Sequence, residues 1–129
     1  MNEPLIQMIK TQSQDIPVES WTTSVDGIVV TMPPITEELD GYRVTHKHSG
    51  LAIVKQTFPT IPIARLFVER ISSFANWNSN DVDNLSDDRE ALKRQVNKAF
   101  IELDEQLQED ASKVIQLALT LSNSIDNPT

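Results

Sequence analysis

From Ser86 to about Asn123 the chain runs without a glycine or a proline, and this stretch limits what the molecule can be. Glycine and proline are the residues that most often interrupt helices, so nothing here breaks one. Apolar residues recur at Leu92, Val96, Ala99, Leu103, Leu107, Ala111, Val114, Ala118, Leu121 and Ile125. Steps of three and four keep them on one helical stripe, and consecutive fours around Leu103 and Leu107 interrupt it as in a broken coiled coil. Asp87 with Glu90 three residues later resembles a capping box, and Asp87, Asp88 and Glu90 complement the positive end of the helix dipole. A helix over 86–123 spans about 55 Å at about 1.5 Å per residue. A compact domain of this size is about 36 Å across, so the helix is expected to overhang its own domain. The overhang is not built for water: Val114 to Leu121 is apolar over most of its circumference and left bare would promote aggregation. Cover by a second copy is the simplest remedy, and a homo-oligomer is expected. The alternative is a break near Glu109-Asp110 that folds the end back as a short third helix.

Ahead of this helix the patterning changes twice. Residues 1–14 are weakly patterned, with Leu5, Ile6, Met8 and Ile9 suited to one helical turn or a docking arm. Ile16 to Val25 and Ile28 to Met32 are rich in Val, Thr and Ile and flank Asp26-Gly27. This is a hairpin signal, with a type I′ turn in which both central residues take positive φ. Pro33-Pro34 ends that strand, because proline cannot donate to a ladder. After an acidic connection through Glu37, Glu38 and Asp40-Gly41, a second hairpin pairs Tyr42–Lys47 with Leu51–Phe58 around His48-Ser49-Gly50. Tyr42, Val44, His46 and His48 share one face with Leu51 and Ile53, while Arg43, Thr45 and Lys47 share the other with Val54. Neither face is purely apolar, which points to partial cover on both sides and to a strongly twisted or barrel-like sheet. Past Pro59 and Pro62 the spacing of Ala64, Phe67, Val68, Ile71, Phe74 and Ala75 predicts a helix over 61–76 with Thr60 as N-cap. The Asn- and Asp-rich stretch from Asn76 to Asn84 stops it. The expected fold is α+β and a single domain over 1–129: an arm (1–14), a β-core of two hairpins (about 16–58), a helix (61–76) and a long terminal helix (86–123).

Chemistry is sparse. With 39% hydrophobic and 23% charged residues the chain composes as a globular protein. A net charge of −8 opposes nucleic-acid binding, which draws affinity from cations displacing counterions. No apolar run reaches the length of a membrane span and no signal peptide is evident, so the expected address is the cytoplasm. The absence of cysteine removes disulfides, thiolate nucleophiles and cysteine-based metal sites. His46 and His48 sit two apart on a strand, facing one side, but a metal needs further ligands and the chain has no other histidine. Two polar residues near a hairpin tip is the simpler reading. A Ser-His-acid triad would have to use one of these two, and there is no Gly-x-Ser-x-Gly elbow. Asp81, Asp83, Asp87 and Asp88 do not fit a calcium loop, which would put Ser86 where glycine is required. No glycine-rich phosphate loop is present. No metal, cofactor or catalytic residue is expected.

The basic residues are few and clustered. Arg89, Lys93, Arg94 and Lys98 begin the long helix, and Glu102, Asp104, Glu105, Glu109 and Asp110 follow. This order suits antiparallel pairing with a copy of itself and leaves cations where the helix leaves the sheet, where Arg43, Lys47 and Lys55 can join them. A solvated charged face is the plainer alternative. Nearby, Phe74, Trp77 and Asn84 are residues that can stack on a purine and hydrogen-bond its edge. Trp77, in the polar connection, is the better candidate for an exposed stacking surface, since Phe74 belongs to the apolar stripe.

Two hairpins, a helix, an Asn-rich connection and an extended terminal helix in a small acidic chain resemble the phage Thoeris anti-defence sponge proteins. The resemblance runs from about Ser20 to the C-terminus and includes Val44-Thr45-His46-Lys47-His48-Ser49-Gly50-Leu51. It implies a non-enzymatic protein that sequesters cyclic ADP-ribose-type immune signals in the host cell cytoplasm. Such proteins assemble through the β-core and paired C-terminal helices. It also implies that Phe74 and Asn84 contact a base and that Arg89, Arg94 or Lys98 faces phosphate. Two other readings remain open: an acidic protein that blocks a host protein by surface mimicry, and single-stranded nucleic acid binding by the sheet. An enzyme ranks last.

Overall fold

The computed structural model describes residues 4–10, 14–32, 41–81 and 85–126. Contacts divide the chain into two units, Met1–Ala99 and Phe100–Thr129. The expected α+β order holds: four antiparallel strands precede a short helix and a long one. The strands are β1 (Leu5–Lys10), β2 (Asp15–Thr22), β3 (Ile28–Thr31) and β4 (Arg43–His46), side by side in that order. The helices are α1 (Ile61–Ile71) and α2 (Arg89–Asp126).

The N-terminal segment is neither a helical turn nor an arm. Leu5–Lys10 is an edge strand whose partners run from Leu5↔Ser20 to Lys10↔Asp15. Alternation inside the segment is weak, and pairing with β2 decides its conformation while Ile9 is buried. The other edge of β1 meets the turn after β4. Lys10 N–H donates to Gly50 O at 3.1 Å, and Gln7 Nε2 donates to Lys47 O at 2.8 Å. The sheet therefore curls until its first strand touches the end of its last, as expected of a barrel-like sheet. Gly50 is required there: its φ is +73° and a Cβ would press on the Met8 carbonyl.

The first hairpin pairs as expected but turns differently. Its last pair is Thr22↔Val29, and β3 begins at Ile28, leaving residues 23–27 as a loop rather than a two-residue turn. Ile28 N–H donates to Val25 O at 3.2 Å, and of the two central residues only Gly27 has positive φ, +93°. That is the type II pattern, not type I′. Thr23 Oγ1 holds the wider loop, donating to Ile28 O at 2.8 Å and accepting from Val25 N–H at 3.1 Å. A short hydroxyl that can bond its own backbone competes with continued strand pairing. The second hairpin is regular only on one side. The segment after β4 meets it at Thr45↔Ala52 and Tyr42↔Phe58, so a three-residue step faces a six-residue step, and regular pairing lapses after Ile53, whose N–H donates to Val44 O at 2.9 Å. The expected Pro33-Pro34 stop and the acidic connection lie outside the described residues.

β3 and β4 are buried on both faces: Val30, Thr31, Val44, Thr45 and His46 are each at most 2% exposed. Partial cover on both sides is the expectation for the second hairpin; β4 is covered fully, and β3 with it. The one polar pair in this interior is closed on itself, with Thr31 and Thr45 hydroxyls 2.8 Å apart. α1 packs against β3 and β4 through Ala64, Phe67, Val68 and Ile71, all fully buried, and Phe67 lies 5.1 Å from Phe58 between ring centroids. Thr60 caps the helix as expected, accepting from Ile63 N–H at 3.2 Å. It ends at Ile71, five residues before the expected 76. Ser72 Oγ turns back to Glu69 O at 2.9 Å, while the Ile71 carbonyl takes Phe74 N–H at 3.0 Å and the Trp77 indole N–H at 2.8 Å. Donors from the following loop thus replace the next helical turn.

α2 is 38 residues long, about 57 Å, and continues through Glu109-Asp110 without a break. It starts at Arg89 rather than 86. Asp88, not Asp87, is its cap: Asp88 Oδ1 accepts from Ala91 N–H at 3.0 Å. Within the first unit its stripe buries Leu92, Val96 and Ala99. Within the second, Val114, Ile115, Leu117, Leu119 and Leu121 are each 55–65% exposed. Among the described residues no helix is long and apolar enough to cross a membrane.

Candidate functional site

The end of β4 carries an imidazole with no solvent face. His46 is 2% exposed, and both ring nitrogens are engaged. Nε2 lies 3.0 Å from the carbonyls of both Trp77 and Ser79. Carbonyls only accept, so Nε2 carries the hydrogen and Nδ1 accepts from the Ser49 hydroxyl at 2.7 Å. Ser49 Oγ in turn accepts from Leu51 N–H at 3.2 Å. Burial pushes the His46 imidazole below its ordinary value, the two carbonyls pull the other way, and His48 adds to the lowering. His48 itself is exposed, 5.9 Å from His46 between ring centroids, and bonds Asn78 Oδ1 at 3.0 Å. The two rings lie near each other, as expected, but one is buried and the other exposed, and they bond different partners. The buried one latches the β4 turn to the 77–79 loop. Gly27 makes the latch possible by lying flush against the Trp77–Asn78 backbone, where a Cβ would overlap the Trp77 carbonyl.

Beside the latch lies a half-open cavity of about 130 Å³. One wall is the turn and return after β4, with His46, Ser49, Leu51, Ala52 and Ile53. The other is Leu85 with the first turns of α2, contributing Leu92 and Val96. Trp77 closes it, and Arg89 and Lys93 stand on its wall one helical turn apart. Lys93 also meets Glu90 at 3.7 Å, with both side chains well exposed. Such a pair contributes little and yields to a better partner. The lining is apolar, with two cations and no carboxylate, in a chain of net charge −8.

The structure sorts the expected site residues. Arg89 is in the cavity wall, with Lys93 from the same basic block. Arg94 and Lys98 are not: at about 100° per residue they lie roughly 140° and 180° around α2 from Arg89, and both are exposed. Arg43 shares a sheet face with Thr45, opposite His46, and Lys47 points from the turn without lining the cavity. Phe74 is half-buried in the turn after α1 and also away from it. Trp77 is a correction. It is 3% exposed rather than an exposed stacking surface, because its indole N–H is spent on the Ile71 carbonyl and its backbone on the His46 latch. It still contributes to the cavity wall. Asn84 lies outside the described residues. His46 and Ser49 were missed as site residues, although a hydroxyl three residues after a strand-end histidine is a spacing that lets a turn close on the ring. Among the described residues no group of His, Asp and Glu is arranged to hold a metal. Compared with protein-family models, curated proteins and solved structures, the chain matches none of them.

Proposed function

We propose that the protein is a non-enzymatic, homo-oligomeric binding protein that captures a small nucleotide signal of the cyclic ADP-ribose or cyclic oligonucleotide type and so counteracts host antiphage defence. The observation that carries this reading is the cavity: apolar walls beside Trp77, with Arg89 and Lys93 together on one side. An apolar cavity of about 150 Å³ takes one benzene ring, so 130 Å³ suits a single ring rather than a whole dinucleotide. A base would enter the cavity while phosphates stay at the rim against Arg89 and Lys93 by charge-assisted hydrogen bonds. Whole small-molecule sites run from about 300 Å³, so a ligand of this class needs further walls. The exposed apolar residues Val114, Ile115, Leu117, Leu119 and Leu121 are what a second copy would cover. Single-stranded nucleic acid binding draws less support, because the central strands are buried on both faces.

Thermal melts with a panel of cyclic dinucleotides, cyclic ADP-ribose isomers and ADP-ribose test the reading. At least one should raise Tm, and Arg89→Ala with Lys93→Ala should remove the shift. Arg94→Ala with Lys98→Ala should keep it, and the opposite pattern would move the site off this cavity. No shift with any nucleotide sinks the proposal. Sedimentation should give an oligomer that Leu117→Glu with Leu119→Glu reduces to a monomer. The same exposed helix favours one other reading, blockade of a host protein, which a stoichiometric host protein in pull-downs without nucleotide binding would favour.

A further inference from the structure

The His46–Ser49 pair joins a buried imidazole to the cavity wall that also carries Arg89 and Lys93. The titratable side chains on the cavity wall are His46 from β4 and Arg89 and Lys93 from α2. His48, from the turn, faces His46 from outside at 5.9 Å, and the 77–79 loop presents only carbonyls to Nε2. In the free protein the Ser49 hydroxyl points its hydrogen at His46 Nδ1, so it has none to offer the cavity it lines. A proton on Nδ1 reverses that bond. The imidazolium donates to Ser49 Oγ, which already accepts from Leu51 N–H, and the hydroxyl hydrogen must turn elsewhere. The open direction is the cavity.

We propose that the cavity takes up one proton with its anionic ligand, the proton going to His46 Nδ1 and turning the Ser49 hydroxyl from the ring to the ligand. This rests on the reading of the cavity as an anion site. Three positive groups and a hydroxyl donor then face the anion in place of two positive groups alone. Without a ligand the same protonation is opposed by burial and by His48. A nearby anion favours the charged ring and offsets that opposition. Proton and ligand each favour the other by the same factor.

The probe is sulfate, which keeps its charge between pH 5 and 8. Histidine and backbone NMR spectra of the full chain are titrated with sodium sulfate at several pH values, against sodium chloride of equal ionic strength. Sulfate should perturb the Arg89 and Lys93 signals, with affinity about tenfold higher at pH 5 than at pH 8. The His46 ring should titrate at higher pH in sulfate than in chloride. His48→Gln should leave this linkage in place, and Ser49→Ala should lower affinity at pH 5 and flatten its pH dependence. Should Ser49→Ala not fold, the His46 titration in the unaltered protein decides alone. Sulfate binding at Arg89 and Lys93 with no movement of the His46 titration overturns the proposal and leaves the anion site standing. No perturbation at Arg89 and Lys93 removes the anion site and the proposal with it.

Discussion

Replacing His46 by alanine tests whether the buried imidazole is the latch described above. The substitution removes the Nδ1 bond to Ser49 and the Nε2 contacts with the carbonyls of Trp77 and Ser79. The single Nε2 hydrogen is shared between the two carbonyls and counts as one bond, so at a net worth of about 1 kcal/mol for each bond the loss is about 2 kcal/mol. The alanine also leaves a void in a site that is 2% exposed, so this is a floor. A domain is stable by about 5–15 kcal/mol, which makes the loss a large fraction of the whole. At about 4 °C per kcal/mol for a chain of this size, Tm should fall by about 8 °C. Urea melts followed by circular dichroism at fixed protein concentration, with m compared between variants, measure it. His48→Ala, with an exposed ring and one bond to Asn78, should cost under about 0.5 kcal/mol. If His46→Ala cost less than about 1 kcal/mol, or no more than His48→Ala, the latch reasoning would be refuted.

Other expectations follow from the same bonds. His46 is held below its ordinary value in the folded protein by burial. The neutral ring's contribution is therefore fully present above the unfolded value of about 6.5 and is lost as pH falls through the folded one. Urea midpoints at pH 5 and pH 7.5 should show this loss in the unaltered protein and less of it in His46→Ala. Asp88→Ala removes the cap bond to Ala91 N–H and should cost about 1 kcal/mol in thermal melts, with Asp87→Ala nearly silent. Thr45→Val alone orphans the buried Thr31 hydroxyl and should cost about 2 kcal/mol. Adding Thr31→Val should recover much of it, and strict additivity in the double-mutant cycle would show that the bond contributes nothing.

The long helix was legible because its evidence is local. A run without glycine or proline and a 3–4 stripe specify a helix whatever surrounds them, and α2 continues through Glu109-Asp110 as the pattern implied. The α1 stripe was legible for the same reason up to Ile71. Its end was not, since it depends on an indole six residues ahead reaching back to a carbonyl. The Asp26-Gly27 turn was placed correctly and its type was not. Whether one or two residues take positive φ depends on Thr23 and on how Gly27 meets the Trp77 backbone.

For the site, residue order alone shows that cations are scarce and cluster at the start of α2. It also determined that no cysteine or glycine-rich phosphate loop is present. It could not say which cations converge, because Arg89 and Lys93 separate from Arg94 and Lys98 only once the buried stripe of Leu92 and Val96 fixes the helix rotation. Nor could it tell an exposed tryptophan from a buried one in a polar stretch. Packing between distant segments places Trp77 in the interior and closes His46 and Ser49 on each other beside the cavity. Periodicity reports which face of an element is apolar. The hydrogen bonds that bury a polar side chain come from segments distant in sequence, and no local pattern encodes them.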